Sequence, residues 1–394
     1  MYGFSNYDTK QNAENYYYES GNLLSSYFNR YSNPLKINSM SVKADHTLNF
    51  SKFNISDGIS FFSKEQNYDY FFENQINNEW ILDNRESNSF VFNENYLRAY
   101  FSFGHQVFEN FSYRLGAIAF YFMNYENSPT MASEYQNNYF AAVPNIYFNY
   151  TLKNTHSFDL TYDMALSRPG ISELNPFRYY QNSEYFIEGN PYLTPQYFHK
   201  SSFTYVNLDV NISASVDYRY DNNFITLKPI LDSGQTKIIG YQHDNFGNFQ
   251  ELKLLIPYKF SLLKNKLEFY LSVDCSYQET KAKDNSLNNH NWYYSGDVSI
   301  DYTFPTINLT VSLSEYYSSD MLSGYEKLKG CFSTCFSADY KIKKKWEFGV
   351  QLNDIFNQNT SNITYIYNNI EYKKENVPNS RFYRFRVTYY FGQK

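Results

Sequence analysis

The sequence predicts an all-β chain whose antiparallel strands close into a transmembrane barrel, and three observations predict it. Apolar and polar residues alternate with period two along the 394-residue chain. Aromatic residues make up 21% of it, with Tyr 44 and Phe 36, while mean hydropathy is only −0.62. Short turns also alternate with long connections, as in a barrel whose two ends face different compartments. A sheet crosses lipid only when it closes, because hydrocarbon offers an unpaired backbone group no partner. Its outward side chains are then apolar and its inward ones polar, which reconciles a membrane wall with a negative mean hydropathy. The aromatic excess suits the girdles at the two lipid boundaries. A secreted β-sandwich or propeller alternates too; strand length, aromatic content and the even spread of the pattern favour the barrel.

The strands justify themselves one by one. Phe158, Leu160, Tyr162, Met164 and Leu166 share a face against Asp159, Thr161, Asp163 and Ser167. Val210 to Tyr220 puts its even-numbered residues on an apolar face and Asn211, Ser213, Ser215, Asp217 and Arg219 on the other. The pattern returns from Leu267 to Tyr277, from Val298 to Phe304, from Ile307 to Leu313 and from Trp346 to Leu352. It closes with Phe385, Val387, Tyr389 and Phe391 against Arg384, Arg386 and Thr388. Phe304 to Ile307 and Leu263 to Leu267 read as tight turns, whereas Lys281 to Asn291 and Ser318 to Lys329 read as polar connections. Residues 1–394 form a single barrel domain, and 169–197 form a long proline-rich loop of the extracellular type within it. At about 10 residues per crossing plus connections, the chain supplies roughly 14–18 strands, the first beginning by about Leu23 to Arg30. No segment reads as a helix.

Other classes fall away on composition. A helical membrane protein needs apolar runs of about 20 residues, and the stretches Leu115 to Met123 and Leu254 to Leu263 are short and interrupted. A net charge of −6 argues against nucleic acid as a partner. Cys275, Cys331 and Cys335 are odd in number and lack companions for a metal site, so they read as unpaired structural residues. Met1 to Ser20 has no basic start, apolar core or cleavage site, so it does not read as a secretory leader. Nucleophile-elbow, phosphate-loop and zinc-protease motifs are absent, and no cofactor or metal is expected. Asp159 and Asp163 with His156 nearby are the one carboxylate arrangement to weigh as catalytic; about 13 Å of strand separates the two carboxylates, so they read as pore-lining charge.

The stretch Leu166 to Gln196 reads LSRPGISELNPFRYYQNSEYFIEGNPYLTPQ. With Arg168, Pro169, Asn175, Pro176, Glu188, Gly189, Asn190, Pro191 and Pro195 it resembles the outer-membrane β-barrel domain of TonB-dependent receptor-like proteins of the Bacteroidetes type. Gln196 stands where that family usually has an acidic residue. Leu352 to Asn357, with Asn353, Asp354 and Phe356, is similar to the family's strand-end motif, and Phe385 to Phe391 resembles the terminal strand read by the barrel-assembly machinery. Read physically, the four prolines of the loop end the ladder and stiffen it, and Gly189 with Asn190 supplies a turn with positive φ. Arg168, Asn175 and Glu188 are read as pinning the loop to the wall more than as contacting a ligand.

The resemblance implies an outer-membrane receptor that takes up a scarce nutrient such as a siderophore, a glycan or a peptide. Its implied partners are outer-membrane lipid, the assembly machinery, a plug domain and TonB. No plug-like or TonB-contacting stretch precedes the first strands, so the chain reads as a partial receptor, part of a 22-stranded barrel, or as a barrel-only paralogue. A passive channel or surface-binding barrel is the alternative, and a soluble carbohydrate-binding β-protein is a third. None of these readings makes it an enzyme.

Overall fold

The computed structural model describes residues 2–19, 22–182, 185–231, 238–284, 287–343, 345–359, 361–367, 370–376 and 380–391. The chain begins with β1 (Tyr2–Glu19), β2 (Asn22–Asn49) and β3 (Phe53–Ile76), followed by the short β4 (Glu79–Leu82). Next come β5 (Asn88–Phe108), β6 (Phe111–Ser128), β7 (Ser133–Leu152) and β8 (His156–Ser167). The long loop holds α1 (Ile171–Leu174), β9 (Arg178–Asn182) and β10 (Tyr185–Glu188). The wall resumes with β11 (Gln196–Asn207), β12 (Ile212–Leu231), β13 (Ile238–Leu262), β14 (Leu267–Ala282), β15 (Asn288–Phe304) and β16 (Leu309–Ser318). The last elements are β17 (Met321–Ser323), β18 (Glu326–Leu328), β19 (Phe332–Ile342), β20 (Trp346–Asn353), β21 (Ser361–Tyr367), β22 (Ile370–Asn376) and β23 (Phe382–Tyr389).

One 19-stranded sheet holds the wall, and β4, β9 and β10 are short additions to it, which leaves sixteen wall strands. Each wall strand pairs antiparallel with the next, as the alternation requires. No ladder joins β1 to β23 among the described residues, so the sheet carries two edges. A second sheet, of four strands, is built from β17, β18, β21 and β22.

Turns such as 109–110, 153–155 and 263–266 lie at one end and the long connections at the other, the asymmetry of an outer-membrane barrel. Leu263, Lys264 and Asn265 take φ of 53°, 58° and 63° to close theirs. The outward face is apolar: Phe140 is 65% exposed and Phe385 78%, values that suit hydrocarbon contact and would be costly in water. The inward face carries Glu94, Asn124, Asp217, Glu251 and Asp274.

Three expectations change. Strand pairing starts at Tyr2 rather than near Leu23, because β1 is rich in Asn, Gln and Tyr and its alternation is faint. Several strands far exceed one crossing, with 28 residues in β2, 24 in β3 and 25 in β13. At about 10 residues per crossing they stand well clear of the membrane on the long-loop side. Helix does occur, as the single turn α1, whose Glu173 side chain accepts the Gly170 N–H at 2.7 Å.

Candidate functional site at the outer mouth

The loop between β8 and β11 folds back against the inward face of the wall. Register sets out what it meets. Across β5, β6 and β7 the inward residues stand in rows: Tyr96, Phe122 and Tyr139; then Glu94, Asn124 and Asn137; then Phe92, Glu126 and Tyr135. Side chains within such a row stand about 5 Å apart at Cβ.

Arg168 leaves the end of β8 and its guanidinium donates to the Glu94 carboxylate. It also lies over the rings of Tyr96 and Phe122, 5.1 and 5.0 Å from their centroids. Only Arg offers a planar cation that pairs with a carboxylate and stacks on rings at once. Beyond it, Leu174 and Leu193, 3% and 0% exposed, pack on Phe90 and Phe92 of β5.

Asn175 is 1% exposed and ties three segments together. Its Oδ1 accepts from Asn88 Nδ2 at 3.2 Å and from the Phe177 N–H at 3.2 Å, and its Nδ2 donates to the Tyr179 hydroxyl. Tyr179 in turn meets Tyr70 edge-on at 5.4 Å. Glu188 accepts from Arg178 Nε at 2.8 Å and from Gln242 Nε2 at 3.0 Å, while β10 pairs parallel with β13. Thus all three polar residues singled out in the loop bind other protein groups.

Gly189 has a different role from the one expected. Positive φ among the described glycines occurs at Gly247 and Gly324, and neither Gly189 nor Asn190 has it. Gly189 is needed for close approach: a Cβ there would lie 2.4 Å from Asn175 O and 2.6 Å from Glu173 O. Its N–H donates to Asn175 O at 2.9 Å and that of Asn190 to Glu173 O at 2.7 Å. Asn190 Oδ1 accepts the Tyr192 N–H at 3.0 Å. Pro191 and Pro195 are buried and Pro169 and Pro176 half-buried along this path. Gln196 is also explained: its Nε2 donates at 3.2 Å to Asp221, which is fully buried and ion-paired to Arg219. A carboxylate at 196 would face another carboxylate without water to separate them.

Glu126 was not singled out from the sequence, although period-two counting from Phe120 points it inward. It is 1% exposed, its Oε2 has no partner, and burial pushes its pKa up to about 7. Glu94, Asn88, Phe90, Phe92 and Gln242 were missed for the same reason: each is a wall residue whose importance appears only when the loop lies on it.

The remaining predicted residues sit elsewhere. Asp354, fully buried with φ of 47°, accepts from the Gln358 N–H at 2.9 Å and from the Ser380 hydroxyl. Burial alone would raise its carboxyl, yet Ser380 and the Gln358 and Asn359 N–H groups outweigh that and hold it below the usual carboxylate range. Asn353 Nδ2 donates to Ser380 O at 2.8 Å, and Phe356 is exposed. Phe385, Val387 and Tyr389 line the outward face of β23, and Phe391 follows it, 86% exposed. Asp159 is taken up by Tyr147 and Asn149 at 2.6 and 2.9 Å, while His156 bonds Tyr205 on the opposite face of the strand. Among the described residues no group of His, Cys, Asp and Glu is arranged to hold a metal ion.

Among the described residues, sixteen antiparallel strands with a greasy exterior, a polar interior and one folded-in loop define an outer-membrane β-barrel. A sequence profile of the Outer membrane protein beta-barrel family matches residues 1–389, and the chain belongs to that family and to the cell outer membrane. No curated protein matches it in sequence. Its fold is similar to that of the unliganded ferric citrate transporter FecA, with 12% identity and a TM-score of 0.62 over 98% of this chain and 58% of that one. The copper transporter OprC gives 10% identity and 0.65 over 98% and 62%. P. aeruginosa FpvA bound to heterologous pyoverdines gives 11% and 0.63 over 98% and 52%. The chain therefore spans between half and two-thirds of the length of these neighbours.

Proposed function

We propose that the chain forms barrel wall of an outer-membrane receptor that takes up a scarce nutrient, a siderophore, a glycan or a peptide. One observation carries the reading: the 168–195 loop is folded into the outer mouth and pinned there on two sides, by Arg168 to Glu94 and by Glu188 to Gln242. A loop tethered this firmly narrows the mouth, which favours a receptor that admits one solute at a time over an open passive channel. In this reading a plug domain and TonB are the partners that would close the lumen and supply energy, and the barrel-assembly machinery reads the terminal strand. The test is uptake in cells lacking the gene, across a panel of labelled siderophores, oligosaccharides and peptides. Loss of one uptake activity, restored by the intact gene and abolished by a protonophore, is expected. Unchanged uptake of the whole panel, together with steady ion conductance by the reconstituted protein, would favour the passive channel.

A further inference from the structure

The seat that Arg168 occupies is built by the wall, not by the loop. Glu94 supplies the carboxylate, and Tyr96 and Phe122 supply two ring faces, their centroids 5.1 and 5.0 Å from the guanidinium carbon. Around the seat, three wall oxygens are buried without a hydrogen-bond partner among the described residues: Asn124 Oδ1, Glu126 Oε2 and the Tyr139 hydroxyl. Register places all three beside it. Asn124 stands next to Glu94 in one row, Tyr139 next to Phe122 in the adjoining row, and Glu126 one row the other way, next to Phe92. Diagonal neighbours across a ladder lie about 7–8 Å apart at Cβ, so the Glu94 and Glu126 carboxylates fall within the span of one small solute.

The donors on hand do not match these acceptors. A guanidinium carries five N–H donors, yet among the described residues Arg168 hydrogen-bonds in the seat to Glu94 alone. Its backbone, fixed at the end of β8, limits how far the head group reaches. Lys64 stands next to Glu94 on the side away from Glu126 and has no ion pair among the described residues. Arg98, two rows deeper, lies over Tyr100 at 5.2 Å. With Arg168 withdrawn, Glu94 and Lys64 offset each other and the Glu126 carboxylate is left over. The emptied seat is then acidic by one charge, walled by two aromatic faces and short of donors. A planar cation meets all three conditions.

We propose that this seat is a recognition site for a planar cation of the incoming solute, and that Arg168 occupies it as a built-in stand-in. The inference rests on the receptor reading of the loop and names the class of solute: one carrying a guanidinium or amidinium group, of which an arginine-bearing peptide is the simplest. Such a solute takes the Glu94 carboxylate and the stack on Tyr96 and Phe122 from Arg168, and its remaining donors serve Asn124, Glu126 and Tyr139. The charged pin on the β5 side is thereby undone. What then holds the loop is its apolar contact with β5 and its short ladder to β13. Because Arg168 competes, the apparent affinity falls by the fraction of molecules whose seat is open.

The probe is L-arginine amide, titrated calorimetrically into the full chain in neutral detergent at constant pH and ionic strength. L-citrulline amide, whose side chain is uncharged, is the control. Saturable binding of the arginine compound and none of the citrulline compound is expected. Removing the competitor in Arg168→Ala should tighten binding at least tenfold, and adding Glu94→Gln to that variant should abolish it. In the parent, saturating probe should speed hydrogen exchange of the Gly189 and Leu193 amides at least fivefold. The thermal midpoint of each protein reports folding, and Arg168→Gln, which keeps more of the stem, replaces the Ala variant if that one does not fold. Binding by Arg168→Ala with none by the parent makes the pair a structural tie only and overturns the proposal. So does binding that survives Glu94→Gln, binding that citrulline amide matches, or no saturable binding by either protein. Because none of these arms reads uptake, failure of the site in detergent and failure of the receptor reading in cells are separate results.

Discussion

Glu126→Gln tests how the loop is held. The residue stands on the outer extension of β6, fifteen positions beyond Phe111, whereas a crossing takes about 10. Phe92 and Tyr135 flank it in its row; Glu94, one row inward, already holds Arg168. No cation is left to compensate a Glu126 carboxylate, so burial lifts its pKa from 4.5 to about 7. Leu174 and Leu193 of the loop cover Phe92, the neighbour of Glu126 in its row, so the seated loop should keep a proton that an opened one releases. Seating is firmest below pH about 4.5, weakens as pH rises, and loses this whole contribution once pH passes about 7. At ~1.4 kcal/mol per pKa unit the rise from 4.5 to about 7 caps the loss near ~3.5 kcal/mol, a factor of roughly 300 in opening. Hydrogen exchange of the Gly189 and Leu193 amides, corrected for intrinsic rates, reads this directly between pH 5 and 8. Protection should fall steeply in the parent and stay flat in Glu126→Gln. Equal slopes in both proteins would refute the reasoning.

Arg168→Ala strands the Glu94 carboxylate beneath the loop and should cost about 3 kcal/mol in the thermal stability of the detergent-solubilised barrel. Arg168→Lys, which keeps the charge but not the stacking on Tyr96 and Phe122, should fall between. Gly189→Ala forces a methyl against two carbonyl oxygens and should cost ~1–3 kcal/mol, seen as faster proteolysis within 168–195. Since no ladder joins β1 to β23 among the described residues, Phe4→Cys with Val387→Cys should not cross-link on oxidation, whereas the paired positions Val42→Cys with Phe61→Cys should.

The wall was legible because lipid enforces a strict pattern: Leu160, Val216, Leu271 and Leu313 each fall outward at the parity the sequence assigns. Where lipid exerts no constraint, legibility fades. β1 carries too many amides and tyrosines to show a face. The outer ends of β14 and β15 fall within Lys281 to Asn291, which reads as a connection because both faces there meet water or protein, not hydrocarbon. β17 and β18 have three residues each, too few for any period. The loop motif was visible as residues but not as geometry, since the reason for Gly189 lies in Asn175, fourteen positions earlier, and the reason for Gln196 lies in Asp221 on the neighbouring strand.

The contacts of the loop are unequal, and the inequality sets how the mouth would open. On the β5 side, Leu174, Leu193, Phe90 and Phe92 are buried together, each contributing ~1.5–3 kcal/mol, with the Arg168 pair beside them. On the β13 side stand a three-residue parallel ladder, close because Gly240 lets Phe186 within 2.8 Å of where a Cβ would be, and the Glu188 to Gln242 bond. Parallel pairs of that length are the weaker attachment, so the loop should part first from β13 while staying on β5 to β7. The strand it would leave is also the one whose Tyr241 backs Tyr365 of the outer sheet. Anything that stiffens that sheet therefore bears on the same strand from which the loop must separate.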